Sequence, residues 1–228
     1  MIYDLLKNGF TIQVLLNLFA RIFVMFCILP VHEFAHALVA TKLGDQTARL
    51  SGRLTLNPLA HLDFFGALMM IIAGFGYAKP VPVNMNNFPP KKRKSYMALT
   101  AFAGPISNLI MAFLFSVFYC AVFKFYPPTD GSFAEAIVLF FLYVAQINVS
   151  LAVFNLIPVP PLDGSRILTS ILPDKYYYTL MKYERYIVYA VLALVLFGAL
   201  DTPISWATNA VMRLFIKGAG LIFGLHIG

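Results

Sequence analysis

Long apolar runs separated by short polar loops constrain this chain more than any other feature of its sequence. The 228 residues are 60% apolar and 12% charged, whereas soluble domains are about 45–50% apolar and about 25% charged. A run of about 20 apolar residues is long enough to cross the hydrocarbon core of a bilayer. We therefore predict an all-α integral membrane protein, a polytopic helix bundle with roughly four to six membrane segments and short cytoplasmic strands in its loops.

Four segments have the length and apolarity of membrane helices. Their approximate bounds are 22–42, 97–123, 134–157 and 186–200. A fifth run, Phe64 to Tyr77, contains three glycines and is short for a span, which favours a re-entrant or membrane-dipping segment. The stretch 204–225 is compatible with either a tilted span or an interfacial helix. Residues 1–21 mix polar with apolar positions and predict an interfacial amphipathic segment.

Basic residues are distributed unevenly between the two faces that these spans create. If the Phe64 run is re-entrant, twelve lysines and arginines fall on one face and three on the other. The positive-inside rule makes the basic-rich face cytoplasmic. The cluster at residues 91–94 indicates a loop that faces anionic lipid. We therefore interpret the net charge of +7 as an attraction to the anionic surface of the bilayer, and no nucleic-acid partner is expected.

The motif His32-Glu33-Phe34-Ala35-His36 lies inside the first apolar run. On a helix, residues i and i+4 share a face, so both imidazoles can reach one Zn²⁺. The glutamate between them would stand beside the metal as a general base for water. Ionisable groups at bilayer depth are costly and therefore functional by default. The motif predicts a zinc enzyme that works inside a membrane, and Pro30 predicts a bend one turn before it.

A catalytic zinc site needs three protein ligands and an open position, and the chain offers few candidates for the third. Asp163 follows a long apolar helix and a turn with three prolines in four positions. Irregular backbone at a membrane edge is tolerated where it lines a protein-enclosed cavity, and a carboxylate held there can complete the site. An ordinary turn residue is an equally good interpretation of Asp163 taken alone. His61, in a polar loop, and His226, near the last residue, are the alternative ligands.

With these motifs the sequence resembles the site-2 protease family of intramembrane zinc metalloproteases, peptidase family M50. That family pairs a His-Glu-x-x-His helix with a later Asn-x-x-Pro…Asp-Gly segment, which corresponds here to residues 155–164. Further stretches are similar to the compact bacterial branch of the family, which has no PDZ or CBS domain. These stretches are residues 52–61, 76–84 and 103–108.

The resemblance implies roles for five residues. His32, His36 and Asp163 would bind one Zn²⁺ per chain, and Glu33 would be the base that activates water. Asn155 would lie near the metal, where it orients substrate or stabilises the oxyanion, although a helix C-terminal cap is the alternative interpretation. The resulting regions are the interfacial segment 1–21, a transmembrane zinc metalloprotease core 22–172 and C-terminal membrane helices 173–228.

The family's reaction is peptide-bond hydrolysis in or near transmembrane segments, known as regulated intramembrane proteolysis. The resemblance therefore implies a transmembrane protein substrate and a bacterial cytoplasmic (inner) membrane, with the active site opening towards the cytoplasm. The stretch around Val81 and Val83 is expected to pair with unwound substrate by strand addition. The identity of the substrate and the oligomeric state stay open.

Two other functions are compatible with the same motifs. A zinc-binding transporter would prefer several intramembrane ligands along a path, and the sequence offers one tight cluster. A catalytically silent, helix-binding scaffold usually lacks a ligand or the glutamate, and all four residues are intact here. Among other polar positions, Asn108 and Asn148 are interpreted as interhelical hydrogen-bond partners. Gly104-Pro105 is interpreted as a kink with a close helix contact.

Overall fold

The computed structural model describes residues 11–72 and 78–225, without the side chains of residues 70–72 and 174–181. Its first helical segment comprises α1 (Ile12–Phe23), a π-helical turn (Val24–Ile28) and α2 (Leu29–Lys42). The remaining helices are α3 (Thr47–Leu50), α4 (Pro58–His61), α5 (Phe64–Ile72), α6 (Arg93–Phe125), α7 (Phe133–Asn155), α8 (Asp163–Ile171), α9 (Asp174–Leu196) and α10 (Asp201–Ile222).

Within the described residues, three helical segments are each long and apolar enough to cross a membrane. They are Ile12–Lys42, Pro90–Phe125 and Phe133–Asn155, with 31, 36 and 23 residues respectively. The prediction of a polytopic helical membrane protein is therefore confirmed. The first segment starts before residue 22, because α1 continues without a break into the π-helical turn and α2. The described part of the predicted interfacial segment thus belongs to the same helix as the first span.

The fourth predicted membrane helix, at about residues 186–200, ends four residues early and is one arm of a bent pair of helices. Helix α9 ends at Leu196, α10 begins at Asp201, and the two axes meet at 78°. Gly198 adopts a φ of +70°, the left-handed conformation that ends helices and that only glycine adopts without a steric penalty. The two helices together can form one broken span or a re-entrant loop. Helix α10, which contains most of the stretch 204–225, packs against α6 and α7.

Pro30 is accommodated by a wide turn and does not interrupt the first helix. The backbone N–H of Leu29 donates to the carbonyl of Val24, five residues earlier, which is the π-helical pattern. Proline has no N–H, and its ring clashes with the carbonyl four residues before it in a regular α-helix. The irregularity that Pro30 predicts therefore takes the form of a π-helical turn immediately before the histidine motif.

The residues that flank the apolar run of residues 64–77 are paired with each other. Leu62 and Ala78 form an isolated antiparallel bridge, and the N–H of Lys79 donates to the carbonyl of His61 over 2.8 Å. Helix α5 has nine residues, about 14 Å, which is well short of the roughly 30 Å hydrocarbon core. Because its two ends are paired, the run does not end at an opposite face. This pairing is consistent with the predicted re-entrant or membrane-dipping segment, which stays a prediction because residues 73–77 lie outside the described residues.

The predicted short cytoplasmic strands do not form among the described residues, so that part of the prediction was wrong. The Leu62–Ala78 bridge is the one β-type pair that the described chain contains. Residues 79–84 lie in no helix or strand, because Pro80 and Pro82 have no N–H to donate to a ladder. Side-chain bonds secure this region instead: the guanidinium of Arg53 donates to the carbonyls of Ala60 and Lys79.

Candidate metal centre

Helix α2 brings two imidazoles together at its buried face. The Nε2 atoms of His32 and His36 are 3.0 Å apart, as the one-turn spacing requires. The residues are 4% and 7% exposed, so neither ring is freely hydrated. Two imidazole nitrogens that face each other at this distance inside a membrane protein need a shared electrophile, either a proton or a metal ion.

Helix α6 fixes the orientation of one of these rings. The Nδ1 atom of His36 lies 2.7 Å from the backbone carbonyl of Thr100. Because a carbonyl can only accept, Nδ1 must carry the hydrogen, which leaves the lone pair of Nε2 directed towards His32. Histidine ligands of metals are commonly oriented by such a bond from the other ring nitrogen.

Asp163 completes the cluster from a distant part of the sequence. It is the first residue of α8, and its Oδ2 atom lies 3.4 Å from Nε2 of His32 and 3.4 Å from Nε2 of His36. One ligand atom of each residue lies within 4.8 Å of the others. The structure therefore brings together the three side chains that the sequence motifs single out, although Asp163 follows His36 by 127 positions in the chain.

The distances among these atoms fit a zinc ion. Zn²⁺ binds histidine nitrogen and carboxylate oxygen at about 2.0–2.2 Å, and its usual geometry is tetrahedral, so neighbouring ligand atoms should be about 3.3–3.5 Å apart. The three observed separations are 3.0, 3.4 and 3.4 Å. The donor set of two imidazoles and one carboxylate is typical of catalytic zinc sites, which keep the fourth position open.

Two glycines permit the close approaches on which the cluster depends. A Cβ atom on Gly104 of α6 would lie 2.3 Å from Nε2 of His36 and 2.6 Å from Cε1 of His32. A Cβ atom on Gly164 would lie 2.3 Å from the carbonyl oxygen of Leu156, in the turn that follows α7. Real Cβ atoms essentially never approach heavy atoms this closely. The first glycine therefore makes room for the imidazoles, and the second holds Asp163 against the proline-rich turn.

The remaining predicted site residues lie on the same elements. Glu33 is buried at 8% exposure and lies on α2 between the two histidines. Asn155 is partly buried and is the last residue of α7. Its neighbour Leu156 contacts Gly164, so the backbone at Asn155 lies one residue from the turn that positions Asp163. The catalytic roles of Glu33 and Asn155 stay predictions.

Of the two alternative histidines, the one that the structure describes, His61, is not part of this cluster. His61 is fully buried in the loop region, and its Nε2 atom lies 2.8 Å from the carbonyl of Thr55. Its bond to the loop backbone gives it a structural role at the entry to the re-entrant segment. His226 lies outside the described residues.

Thr100 is a site residue that the sequence gave no reason to select, because it contributes a backbone carbonyl that any residue type possesses.

The interhelical role predicted for Asn108 and Asn148 was wrong among the described residues. The Nδ2 atom of Asn148 donates to Val144 of its own helix, over 2.8 Å. Neither polar atom of the Asn108 side chain has a hydrogen-bond partner in the described chain.

Asp45 connects the end of α2 to the segment that follows residue 83. Its carboxylate accepts hydrogen bonds from the backbone N–H of Asn84 and the side-chain amide of Asn87, both over 2.7 Å, and from Thr47. Burial by itself raises the pKa of this carboxyl, but the bonds from Thr47, Asn87 and Asn84 hold the pKa below its ordinary value. The ionised form of Asp45 therefore fixes the stretch containing Val83 beside the helix that carries the histidines.

Comparison with known proteins agrees with the zinc site that His32, His36 and Asp163 form. The sequence model of Peptidase family M50 matches residues 20–134 and 121–198. Over 188 residues the chain is 39% identical to "Putative zinc metalloprotease YwhC" of Bacillus subtilis, an alignment that covers 81% of this chain and 85% of that protein. No solved structure matches the chain.

Two further relatives are matched over a smaller share of their length. "Putative zinc metalloprotease Rip2" of Mycolicibacterium smegmatis is 33% identical over 141 residues, which are 60% of this chain and 51% of that protein. "Putative zinc metalloprotease MJ0611" of Methanocaldococcus jannaschii is 30% identical over 139 residues, which are 60% of this chain and 62% of that protein.

Proposed function

The chain belongs to peptidase family M50, and on that premise we propose that it is an intramembrane zinc metalloprotease with one Zn²⁺ per chain. Its reaction is hydrolysis of peptide bonds in or near the transmembrane segments of membrane proteins. The observation that carries the proposal is the convergence of His32, His36 and Asp163 on one point. The two histidines belong to a helix that is long and apolar enough to span a bilayer.

Each side chain around this point has its own role in the proposed reaction. His32, His36 and Asp163 hold the metal, which when bound supplies a Lewis acid and lowers the pKa of water to about 7. Glu33 removes the proton from the attacking water and delivers it to the leaving amine. Asn155, at the end of α7, donates its amide to the oxyanion that develops on the scissile carbonyl.

The substrate must change conformation before it can react. A helix in lipid hides its carbonyls in hydrogen bonds, and unwinding it in hydrocarbon is costly unless other groups accept those bonds. The stretch at Val81 and Val83, which Asp45 fixes through the next residue, keeps the backbone N–H groups of these two valines although Pro80 and Pro82 have none. It is therefore available for limited pairing with an unwound segment by strand addition.

Charge supports an orientation in the membrane, and the similarity to the compact bacterial branch of the family supports the location. With the Phe64 run taken as re-entrant, twelve basic residues fall on the face that carries the loops around the metal centre, and the positive-inside rule then makes that face cytoplasmic. We therefore assign the protein to the bacterial cytoplasmic membrane, with the active site opening towards the cytoplasm.

Cleavage of designed transmembrane peptides by the purified, zinc-loaded protein in lipid nanodiscs tests the proposal. Two quenched-fluorescent peptides each carry about 20 leucines, one with an uninterrupted helix and one with a central Gly-Pro that weakens it. We expect cleavage of the interrupted peptide and much slower cleavage of the other. A Glu33→Gln variant should keep its zinc and lose at least about 100-fold in rate.

Each result has a defined meaning. A wild-type protein that binds zinc and cleaves neither peptide contradicts the proposed reaction. An undiminished rate in Glu33→Gln contradicts the role of this residue as the base. Equal rates for the two peptides contradict the requirement for local unwinding.

A further inference from the structure

One face of α6 continues from the metal centre towards the apolar core. Thr100, Gly104 and Asn108 follow one another at intervals of four residues and therefore share a face. The carbonyl of Thr100 accepts from His36, and Gly104 lies against both imidazoles. Ala112, four residues further on, belongs to the buried apolar cluster. Asn108 thus lies between the metal centre and the core, about 6 Å of helix rise beyond Gly104.

The side chain at this position has unused hydrogen-bonding capacity. Asn108 is 1% exposed, and both Nδ2 and Oδ1 lack a hydrogen-bond partner among the described residues. A carboxamide offers two donors and an accepting oxygen. Buried polar groups in native proteins are almost always paired, because an unpaired one loses its bonds to water without compensation. A second buried asparagine, Asn148, donates its Nδ2 to Val144 of its own helix, and its Oδ1 has no partner among the described residues. Asn108 differs from it because both of its polar side-chain atoms lack a partner there.

The proposed reaction creates groups that match this side chain. Unwinding a transmembrane helix beside the metal centre releases peptide N–H and C=O groups where little water is available. A carboxamide can donate to the carbonyl and accept from the N–H of one peptide unit without placing a charge in the membrane. We propose that Asn108 binds the backbone of the substrate segment that unwinds beside the metal centre, on the side away from the basic cytoplasmic loops. This inference rests on the proposed proteolytic function.

Backbone recognition can be tested with ester substitution in the substrate. The probe is the interrupted leucine peptide and a series of analogues in which single amides flanking the scissile bond become esters, which removes one N–H at a time. The proteins are wild type, Asn108→Leu, Asn108→Ala and the control Asn148→Leu. Zinc per chain, apparent melting temperature, kcat and KM are measured for each protein.

We expect Asn108→Leu and Asn108→Ala to keep their zinc and to lose roughly 10- to 100-fold in kcat/KM. At one ester position the wild type should lose about tenfold, whereas the Asn108 variants lose nothing further, because the bond is already absent. Asn148→Leu should respond to the ester series as the wild type does, since Asn148 lies on α7, away from the α6 face that carries Gly104, and its Nδ2 is bonded to Val144 of its own helix.

The other outcomes overturn the inference in distinguishable ways. If the wild type cleaves the peptide and Asn108→Leu has the same kcat/KM, the side chain does not bind substrate. If activity falls but no ester position is coupled to Asn108, the amide binds water or protein only. If both variants lose zinc or fold poorly, the role is structural. If the wild type binds zinc but cleaves no peptide, the proposed function fails together with the inference.

Discussion

Replacing Gly104 by alanine should remove zinc from the protein without unfolding it. The added Cβ would lie 2.3 Å from Nε2 of His36, 2.5 Å from Cε1 of the same ring and 2.6 Å from Cε1 of His32. Ordinary van der Waals contact begins at 3.4 Å, so the imidazole of His36 or the helix that carries it must move by about 1 Å. Metal sites tolerate deviations of about 0.2 Å in ligand distance.

The expected loss can be estimated from this displacement. A shift of about 1 Å takes Nε2 of His36 out of bonding range and also disturbs the bond from its Nδ1 to Thr100. Loss of an orienting partner alone costs about 10- to 100-fold in metal affinity, and we expect at least that much here, about 1.4–2.8 kcal/mol. The substitution should not lower the stability of the helix itself, because alanine is favoured over glycine by about 1 kcal/mol in a helix interior.

The assay is the affinity for zinc, measured by competition with a chelator, together with zinc per chain after purification. Gly218→Ala is the matched control, since it changes another helical glycine whose nearest neighbour, Cε2 of Phe113, would be 3.7 Å from the new Cβ. The control should keep its zinc and melt at the same or a higher temperature. Wild-type zinc affinity in Gly104→Ala would refute the close approach of α6 to the histidines.

Three further predictions concern other contacts. Asp163→Ala should lower zinc per chain from near one to a small fraction, and zinc that survives the change would mean that the third ligand is misassigned. Gly164→Ala should lose zinc by displacing Asp163 through its 2.3 Å clash with Leu156, and an intact metal centre would contradict that contact. Asp45→Asn should lower the apparent melting temperature, because the new amide meets groups that donate to the carboxylate at a cost of about 1–3 kcal/mol. Since the folded pKa of Asp45 lies below the ordinary 3.8, its stabilisation is complete above about pH 4 and is lost as pH falls through the folded pKa. The difference in melting temperature between wild type and Asp45→Asn should therefore shrink on acidification. A constant difference would contradict the stabilising role of the ionised Asp45 carboxylate.

The successful sequence predictions depend on distances that one element fixes. The bilayer thickness sets the length of a span, so the apolar runs at residues 97–123 and 134–157 located helices α6 and α7 to within a few residues. The helical repeat places His32 and His36 on one face wherever the helix lies in the fold. The predictions failed where the conformation of a single stretch of backbone determined the structure. Gly198 ends α9 inside a predicted span, and Pro80 and Pro82 prevent the predicted strands.

The sequence by itself determined the membrane class, the histidine pair and the candidates for the third ligand. Only the tertiary structure decided that Asp163 is the candidate that meets the pair, that His61 bonds to the loop backbone, and that the ends of the Phe64 run are joined at Leu62 and Ala78. The physical reason is that spacing within one helix is set by covalent geometry, whereas contact between distant residues depends on how closely helices pack. That packing is decided here by the absence of a side chain at Gly104 and at Gly164.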